Sequence, residues 1–338
     1  MIVPLTSNVN QHFPVMLKEV IKICSPELGG NFVDCTFGGG NYSSELLKYP
    51  KTNIIALDRD TFVKSKAEKI SRNFPKRFTF YNEKFSNLNN ILDKNFKADG
   101  IIFDLGLSNF QIRDLSRGFS FKSESKIDMN MGLGSTSGEK AINELDEETL
   151  KNIIKIFGEE QEASRITKNI IKERKNKKIL KVQELVKIIL NSKKKNFKKK
   201  INVCTKTFQA LRIFVNKEIS ELIGGIILAT KFLKVGGKII VVSFHSIEDK
   251  IIKYYFSNFS KNKTKPSRYL PETKNENQTF FENYKNLVLR ASEQEVKENP
   301  PSRSAKLRYA IRSDSDFIYP KELKKKFKKY LDLERLND

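Results

Sequence analysis

"DCTFGGGNYSS", residues Asp34 to Ser44, joins an apolar run to an amphipathic one. Three consecutive glycines cost backbone entropy and contribute no packing, so something must approach this turn closely. Outward from it, "NFVDCT" (31–36), "NIIALD" (53–58), "FTFYN" (78–82) and "DGIIFDLG" (99–106) each read as a strand. The segments "YSSELLKY", "TFVKSKAEKISRNF" and "SNLNNILDKNF" between them read as helices. Alternation at this spacing predicts βαβ units, hence an α/β fold whose parallel sheet carries helices on both faces. A glycine turn after the first strand then lies at the carboxyl edge of the sheet, where open α/β folds bind ligands, with the next helix presenting its N-terminus.

Twenty residues beyond Gly38, Asp58 closes the second strand. An acid at that distance commonly accepts hydrogen bonds from the two ribose hydroxyls of an adenosine cofactor; the alternative is that it caps the following helix. The run G-G-G-N-Y does not fit G-x-G-x-x-G, and no P-loop lysine follows, which argues against NAD and ATP. S-adenosylmethionine has no phosphate. It needs a turn that accepts its amino-acid tail, an acid for its ribose and an apolar wall for its adenine. Phe85, just after the third strand, suits that wall or is ordinary core. Asp104 and "LGLSNFQ" end the fourth strand, where a transferred group would meet its acceptor. A carboxylate buried there without a partner would be costly.

After residue 106 the alternation stops. A polar stretch, "SRGFSFKSESKIDMNMGLGSTSG", leads into helical patterns only. In "DEETLKNIIKIFG", Asp146 suits an N-cap and Gly158 a stop. "EEQEASRITKNIIKERK" follows, then "VQELVKIIL", with Val182, Leu185, Val186 and Ile189 on one face, ending in the lysine run 193–200. Strand signals return at "LKVGGKIIVVSFHS" (233–246), followed by the helix "IEDKIIKYYF". "KNLVLRAS" and "SAKLRYAIR" read as two further strands, an antiparallel edge pair, with 260–283 a long polar loop. The tail "KELKKKFKKYLDLERL" reads as a basic amphipathic helix.

The 338 residues carry 38% hydrophobic and 30% charged side chains, a composition that suits a packed core and excludes global disorder. The net charge of +23 favours a polyanionic partner, although codon bias toward Lys, Asn, Ile and Phe would also raise it. Cys24, Cys35 and Cys204 show no CxxC spacing, so no disulfide scaffold and no zinc or other metal site is expected. No signal peptide and no run near the ~20 apolar residues of a membrane helix is visible, so a cytoplasmic protein without membrane contact is expected.

In order along the chain stand "HFPVMLKEVI", "DCTFGGGNYS", "ALDRD", "FDLGLSNFQI", "RGFSF", "FGEEQEASRI", "TFQALRIFVNKE", "VVSFHSIEDKIIK" and "NPPSRSAKLR". Together, from about His12 to Arg312, they resemble the RsmH (MraW) family of bacterial ribosomal RNA methyltransferases. The resemblance implies a Rossmann-like class I S-adenosylmethionine-dependent methyltransferase with an inserted all-helical domain. It divides the chain into 1–111 with 208–312, an insert 112–207 for substrate recognition, and a basic tail 313–338. It implies methylation of the exocyclic N4 of a cytidine in small-subunit (16S) ribosomal RNA near the decoding centre, with that RNA or the small ribosomal subunit as partner. Carried over by motif, the cofactor contacts fall on Gly40, Asn41, Tyr42, Asp58, Phe85, Asp104 and Gln111. Departures stand at Asn41, Asn109-Phe110, Asn130, Gly132 and Lys206; at 41 a left-handed Asn would keep the turn possible.

Transfer to an amine needs alignment rather than a strong acid or a metal. Asp104 and the carbonyls from Leu107 to Asn109 are candidates to grip the amine, making Asp104, Asn109 and His245 the catalytic candidates. Phe110 or Phe244 could stack on the base. His245 could touch the base or a phosphate, or merely cap the helix of "SIEDK". Arg303, Lys306, Arg308 and the lysine runs suit phosphate contact or a solvated surface. Two other readings remain: a methyltransferase acting on DNA or another RNA, and an RNA-binding ribosome assembly factor without turnover.

Overall fold

The computed structural model describes residues 14–193, 202–263 and 279–337, without the side chains of Asn109 and Lys263. His12 and lysines of the 194–200 run lie outside the described residues. The apolar runs become β1 (Gly30–Asp34), β2 (Thr52–Leu57), β3 (Phe78–Tyr81), β4 (Ala98–Asp104) and β5 (Leu233–Ser243), all parallel. β6 (Lys306–Ile311) runs antiparallel to β5, pairing Ile240 with Tyr309, and closes the sheet in the order β3-β2-β1-β4-β5-β6. This is the α/β sheet that the alternation predicts, in the Rossmann-like order that the family resemblance implies.

Alternate residues of each strand face opposite cores, as the two-residue period requires. Val33, Ile101, Phe103, Ile239 and Val241 face one core. Phe32, Ile54, Ile102, Ile240 and Val242 face the other. On the second side lie α1 (Leu17–Cys24), α2 (Asn41–Leu46) and α3 (Lys64–Asn73). On the first side α4 (Leu88–Ile91) is a single turn, shorter than its segment suggested, because Leu92 is already extended. Between β4 and β5 come α5 (Asn109–Arg113), α6 (Gly138–Glu144), α7 (Glu147–Phe157), α8 (Ala163–Asn176), α9 (Val182–Ser192), α10 (Thr205–Asn216) and α11 (Glu218–Phe232). Asp146 caps α7, accepting from the Thr149 amide at 2.9 Å. Buried residues of α6 to α11 share one contiguous core with the sheet face. The expected domain boundaries at 111/112 and 207/208 fall inside α5 and α10.

The chain finishes with α12 (Ser246–Asn258), α13 (Glu293–Glu298), α14 (Lys321–Lys326) and α15 (Lys328–Arg335). Three expectations are corrected here. The segment 285–292 is no strand: only Leu289 bridges, to Leu307, and Asn286 at its start bends the chain with φ 54. The stretch 260–283 is not wholly a polar loop, since Phe280 and Phe281 are fully buried against Tyr255, Phe256 and Phe259. The tail is two short helices, not one, broken at the buried Phe327. All three cysteines are free and buried, and among the described residues no helix is long and apolar enough to cross a membrane.

The aromatic cluster around Phe281 joins α12 to the β6 edge, so emptying it leaves a cavity. Phe281→Ala should destabilise the fold by about 3–5 kcal/mol, read as a lower denaturant midpoint with unchanged slope. A loss below about 1 kcal/mol would show that the cluster is not core.

Candidate functional site

Strand order reverses between β1 and β4, and a crevice opens at their carboxyl ends. Its floor and walls come from the glycine turn, from Asp58 and Arg59 after β2, from Glu83 to Phe85 after β3, and from Asp104 to Ser108 after β4. α11 contributes Glu218 and Glu221, and Phe244, Glu248, Asn299 and Pro301 complete the far side.

One bond shapes the turn. Asp58 Oδ2 accepts from the Gly38 amide at 2.7 Å, and its Oδ1 accepts from the Asp60 amide at 2.8 Å. The next helical turn is capped by Asp60, whose Oδ1 accepts from the Phe62 amide, so Asp58 is not that cap. Gly38 has φ +47, and a side chain built there would meet only Thr36 O at 3.8 Å and Ser108 at 3.9 Å, leaving open crevice above it. Gly40 is different: a Cβ there would strike the Phe37 ring at 2.6 Å. Gly40 takes the left-handed conformation, and Asn41, the first residue of α2, does not. The side chain at 41 is therefore tolerated because the neighbouring glycine absorbs the bend.

Beneath the turn lies a chain of acids. Asp34 is wholly buried, accepting from the Ser43 hydroxyl at 2.7 Å and the Thr36 amide at 3.3 Å. Thr36 Oγ1 accepts from the Asp104 amide at 2.6 Å. Tyr42 donates its hydroxyl to Val15 O and lies 3.4 Å from Asp104 Oδ2. Asp104 Oδ1 is buried with no hydrogen-bond partner. Burial, then the Asp34 charge, pushes the Asp104 carboxyl up to about 8. Burial pushes Asp34 and Asp58 up to about 6, against the amides and hydroxyl that favour their charged forms.

On the opposite wall Phe85 meets Phe103 edge-on, centroids 5.3 Å apart, and leaves a face toward the crevice. Behind it the Ser86 hydroxyl donates to Glu221 Oε1 at 2.9 Å. Glu221 Oε2 and Arg59 Nε are buried without hydrogen-bond partners, an acceptor and a donor awaiting complements. Gln111 lines the crevice, but its amide is engaged: Nε2 donates to Asp60 Oδ2 at 2.6 Å and Oε1 accepts from the Ser108 amide at 2.9 Å. Asp60 also holds the buried Arg117 at 2.5 Å.

The other expected residues are distributed unevenly. Phe244 lines the crevice, whereas Phe110 does not and packs on the second core. Asn109 opens α5. His245 does not line the crevice; it caps α12, with Nδ1 accepting from the Glu248 amide at 3.4 Å and Nε2 at 3.1 Å from Glu248 Oε1. Burial would raise the Glu248 carboxyl, but His245 and Arg212 hold it below its usual range. Glu218, His245 and Glu248 bring ligand atoms within 4.8 Å of one another, yet Arg212 grips both Glu218 oxygens at 2.7 and 2.9 Å. A cation there would face a fixed guanidinium. Arg308 is corrected as a phosphate contact: it is 4% exposed and bonded to Asp249, Tyr284 and Asn286. Lys306 joins the same Asp249 at 2.8 Å, and Arg303 stays exposed.

At the departures, Asn130 Oδ1 accepts from the Gly132 amide at 2.8 Å. A side chain at Gly132 would lie 2.0 Å from Arg59 O, so this chain has no room for one there. Lys206 donates to Glu159 O at 2.6 Å. Sequence reasoning missed Arg59, Glu221 and Glu248. Arg59 stands in the quoted "ALDRD", but Glu221 sits far away on an apolar helix, where only its being a charge among "ELIGGIIL" marks it.

The chain's residues 9–313 match the model of the MraW methylase family. It is 38% identical to a protein of Ehrlichia canis (strain Jake) over 89% of this chain and 99% of that one, named "Ribosomal RNA small subunit methyltransferase H". Proteins of the same name from Bartonella bacilliformis and Rickettsia typhi are 38% and 39% identical, covering 92% and 88% of this chain and 92% and 97% of theirs.

The raised acids make a stability prediction. Carboxyls whose folded pKa lies above the unfolded value stabilise the fold below the unfolded pKa and lose that contribution as pH rises through the folded one. With Asp34 and Asp58 near 6 and Asp104 near 8, unfolding free energy of the ligand-free protein should fall from about pH 5 to about pH 8. Asp104→Asn should make the upper half of that slope shallower, leaving the share of Glu334, which burial also pushes up to about 8, as measured by denaturant titration. A profile flat or rising across the window contradicts this account.

Proposed function

The chain belongs to the MraW methylase family, and from that premise we propose that its crevice binds S-adenosylmethionine and serves methylation of small-subunit ribosomal RNA, at the exocyclic N4 of a cytidine near the decoding centre. The residues fit the cofactor. The open space above Gly38 suits its amino-acid tail, Asp58 retains acceptor lone pairs for ribose hydroxyls, and Phe85 offers an apolar face for adenine. The observation that carries the reading is Asp104, which lines the crevice and whose Oδ1 is buried without a hydrogen-bond partner.

When bound, S-adenosylmethionine supplies a methyl group on a positively charged sulfur. The chain's own part is alignment and charge. Burial keeps Asp104 neutral at neutral pH in the absence of a cation, and a nearby positive charge draws it toward the carboxylate. As carboxylate, Oδ1 accepts an N–H of the acceptor amine, localises its lone pair and takes the proton once nitrogen has become cationic. We assign the second N–H to backbone carbonyls from Leu107 to Asn109, which follow β4 at the crevice. Phe244 provides a stacking face for a base drawn out of its strand. His245 orients Glu248 at the start of α12. The net charge of +23 favours the RNA backbone, and we assign recognition of the RNA to the helical insert 112–207.

Incubation with labelled S-adenosylmethionine and small ribosomal subunits lacking the modification should label one cytidine at N4. Label appearing in duplex DNA or another RNA instead would correct the acceptor, and RNA binding without cofactor affinity would make the chain an assembly factor. Asp58→Ala should weaken cofactor binding by about 1–3 kcal/mol in calorimetry; an unchanged dissociation constant removes Asp58 as the ribose ligand. The single-turnover rate should rise with pH to a plateau at or below about pH 8, and Asp104→Asn should slow it by about two orders of magnitude and abolish that rise. Near-normal rates in the variant would take Asp104 off the reaction path.

A further inference from the structure

α14 and α15 lie beyond residues 9–313, the stretch that the family model matches. Leu323, Phe327 and Tyr330 seat them in the core, Tyr330 stacked on Phe157 of α7 and Phe327 edge-on to Tyr254 of α12. Lysines cover the outer face, which leaves the charged residues on the inner side to be explained. Glu334 is wholly buried. Its Oε1 accepts from the Ile219 amide at 2.8 Å, and its Oε2 accepts from the Ser220 amide at 2.7 Å and from the Ser220 hydroxyl. Three residues on, Asn337 Nδ2 donates to Phe214 O at 2.8 Å and Val215 O at 3.1 Å.

These partners are the backbone groups that helix ends leave unpaired. α10 ends at Asn216 and α11 begins at Glu218, with only Lys217, at φ 50, between them. The tail therefore caps both sides of one corner, a carboxyl on the amides of α11 and an amide on the carbonyls of α10. The corner meets the crevice at Glu218, the first residue of α11. Asn216 Oδ1 accepts from the Met131 amide and its Nδ2 donates to Met129 O, each at 2.8 Å. Its carbonyl accepts from Arg59 Nη1 at 2.8 Å. Arg59, Met131, Glu218 and Glu221 all line the crevice; Glu221 holds Ser86 beside Phe85, while Glu218 reaches toward Glu248.

We infer that the C-terminal helix pair braces the adenine side of the crevice: Glu334 and Asn337 are positioning residues that fix the α10–α11 corner, and through it Arg59, Met131 and Glu221, for cofactor binding. The inference rests on the proposed reading of the crevice. The brace acts on the cofactor's side, so it should govern cofactor affinity and leave the transfer step alone.

The test uses the full chain carrying Glu334→Ala with Asn337→Ala, and Asn337→Ala alone in case the double variant does not fold, checked by circular dichroism. We expect the KM for S-adenosylmethionine to rise about ten-fold in the double variant and less in the single one, with kcat on small subunits within about two-fold of wild type. Glu334→Gln, which keeps one acceptor oxygen, should recover part of the loss. Hydrogen exchange of the ligand-free protein should accelerate at amides 218–221 and 129–132. An unchanged cofactor KM in folded variants, or a fall in kcat alone, overturns the inference. If wild type binds no S-adenosylmethionine, the reading of the crevice fails; unaltered exchange at the corner would instead sink the brace itself.

Discussion

The hydrogen bond from the Gly38 amide to Asp58 ties the bend after β1 to the end of β2. Much of the site follows from it. It draws the glycine turn onto the second strand, so the chain can pass from strand to helix without a side chain over the crevice. It aims a carboxylate at the point where the turn leaves open space. Gly40 supplies the left-handed residue that lets α2 begin at Asn41, and the Phe37 ring lies where a side chain at Gly40 would go. The protein's own phenylalanine approaches Gly40, and above Gly38 lies the crevice.

The second constraint is electrostatic. Asp34, Asp58 and Asp104 lie near one another with hydroxyls and amides for partners, and among the described residues no cation pairs with any of them. Such a group is costly to charge, which is why burial raises all three. A site of this kind is poised for a cation and is a poor place for a phosphate. Arg212 and Arg117 pair with other acids, Glu218 and Asp60, and so do not neutralise Asp104.

The motif "SFHSIED" shows how function and architecture share residues. Phe244 faces the crevice, while His245 and Glu248 form a reciprocal cap at the start of α12 and Asp249 ties Lys306 and Arg308 of β6 to that helix. Read as a string, the histidine attracts attention because only two occur in the chain. In the fold it supports its neighbour, and the basic pair after it is spent inside the protein.

Sequence alone determined the six strands of the sheet, though it added one at 285–292 that does not form, their alternation with helices, the glycine turn, its acid twenty residues on and the family resemblance, because these rest on local periodicity and fixed spacing. The register of the edge, the burial of Phe280 and Phe281 in a polar-looking stretch, and the two-part tail were decided by tertiary contact. So was the membership of the crevice: Arg59 and Glu221 stand 162 residues apart in sequence, and only the packing of α11 against the segment after β3 sets them on one wall. Local rules say which backbone a segment prefers, but a buried polar atom gets its meaning from what lies across from it, and that partner comes from another part of the chain.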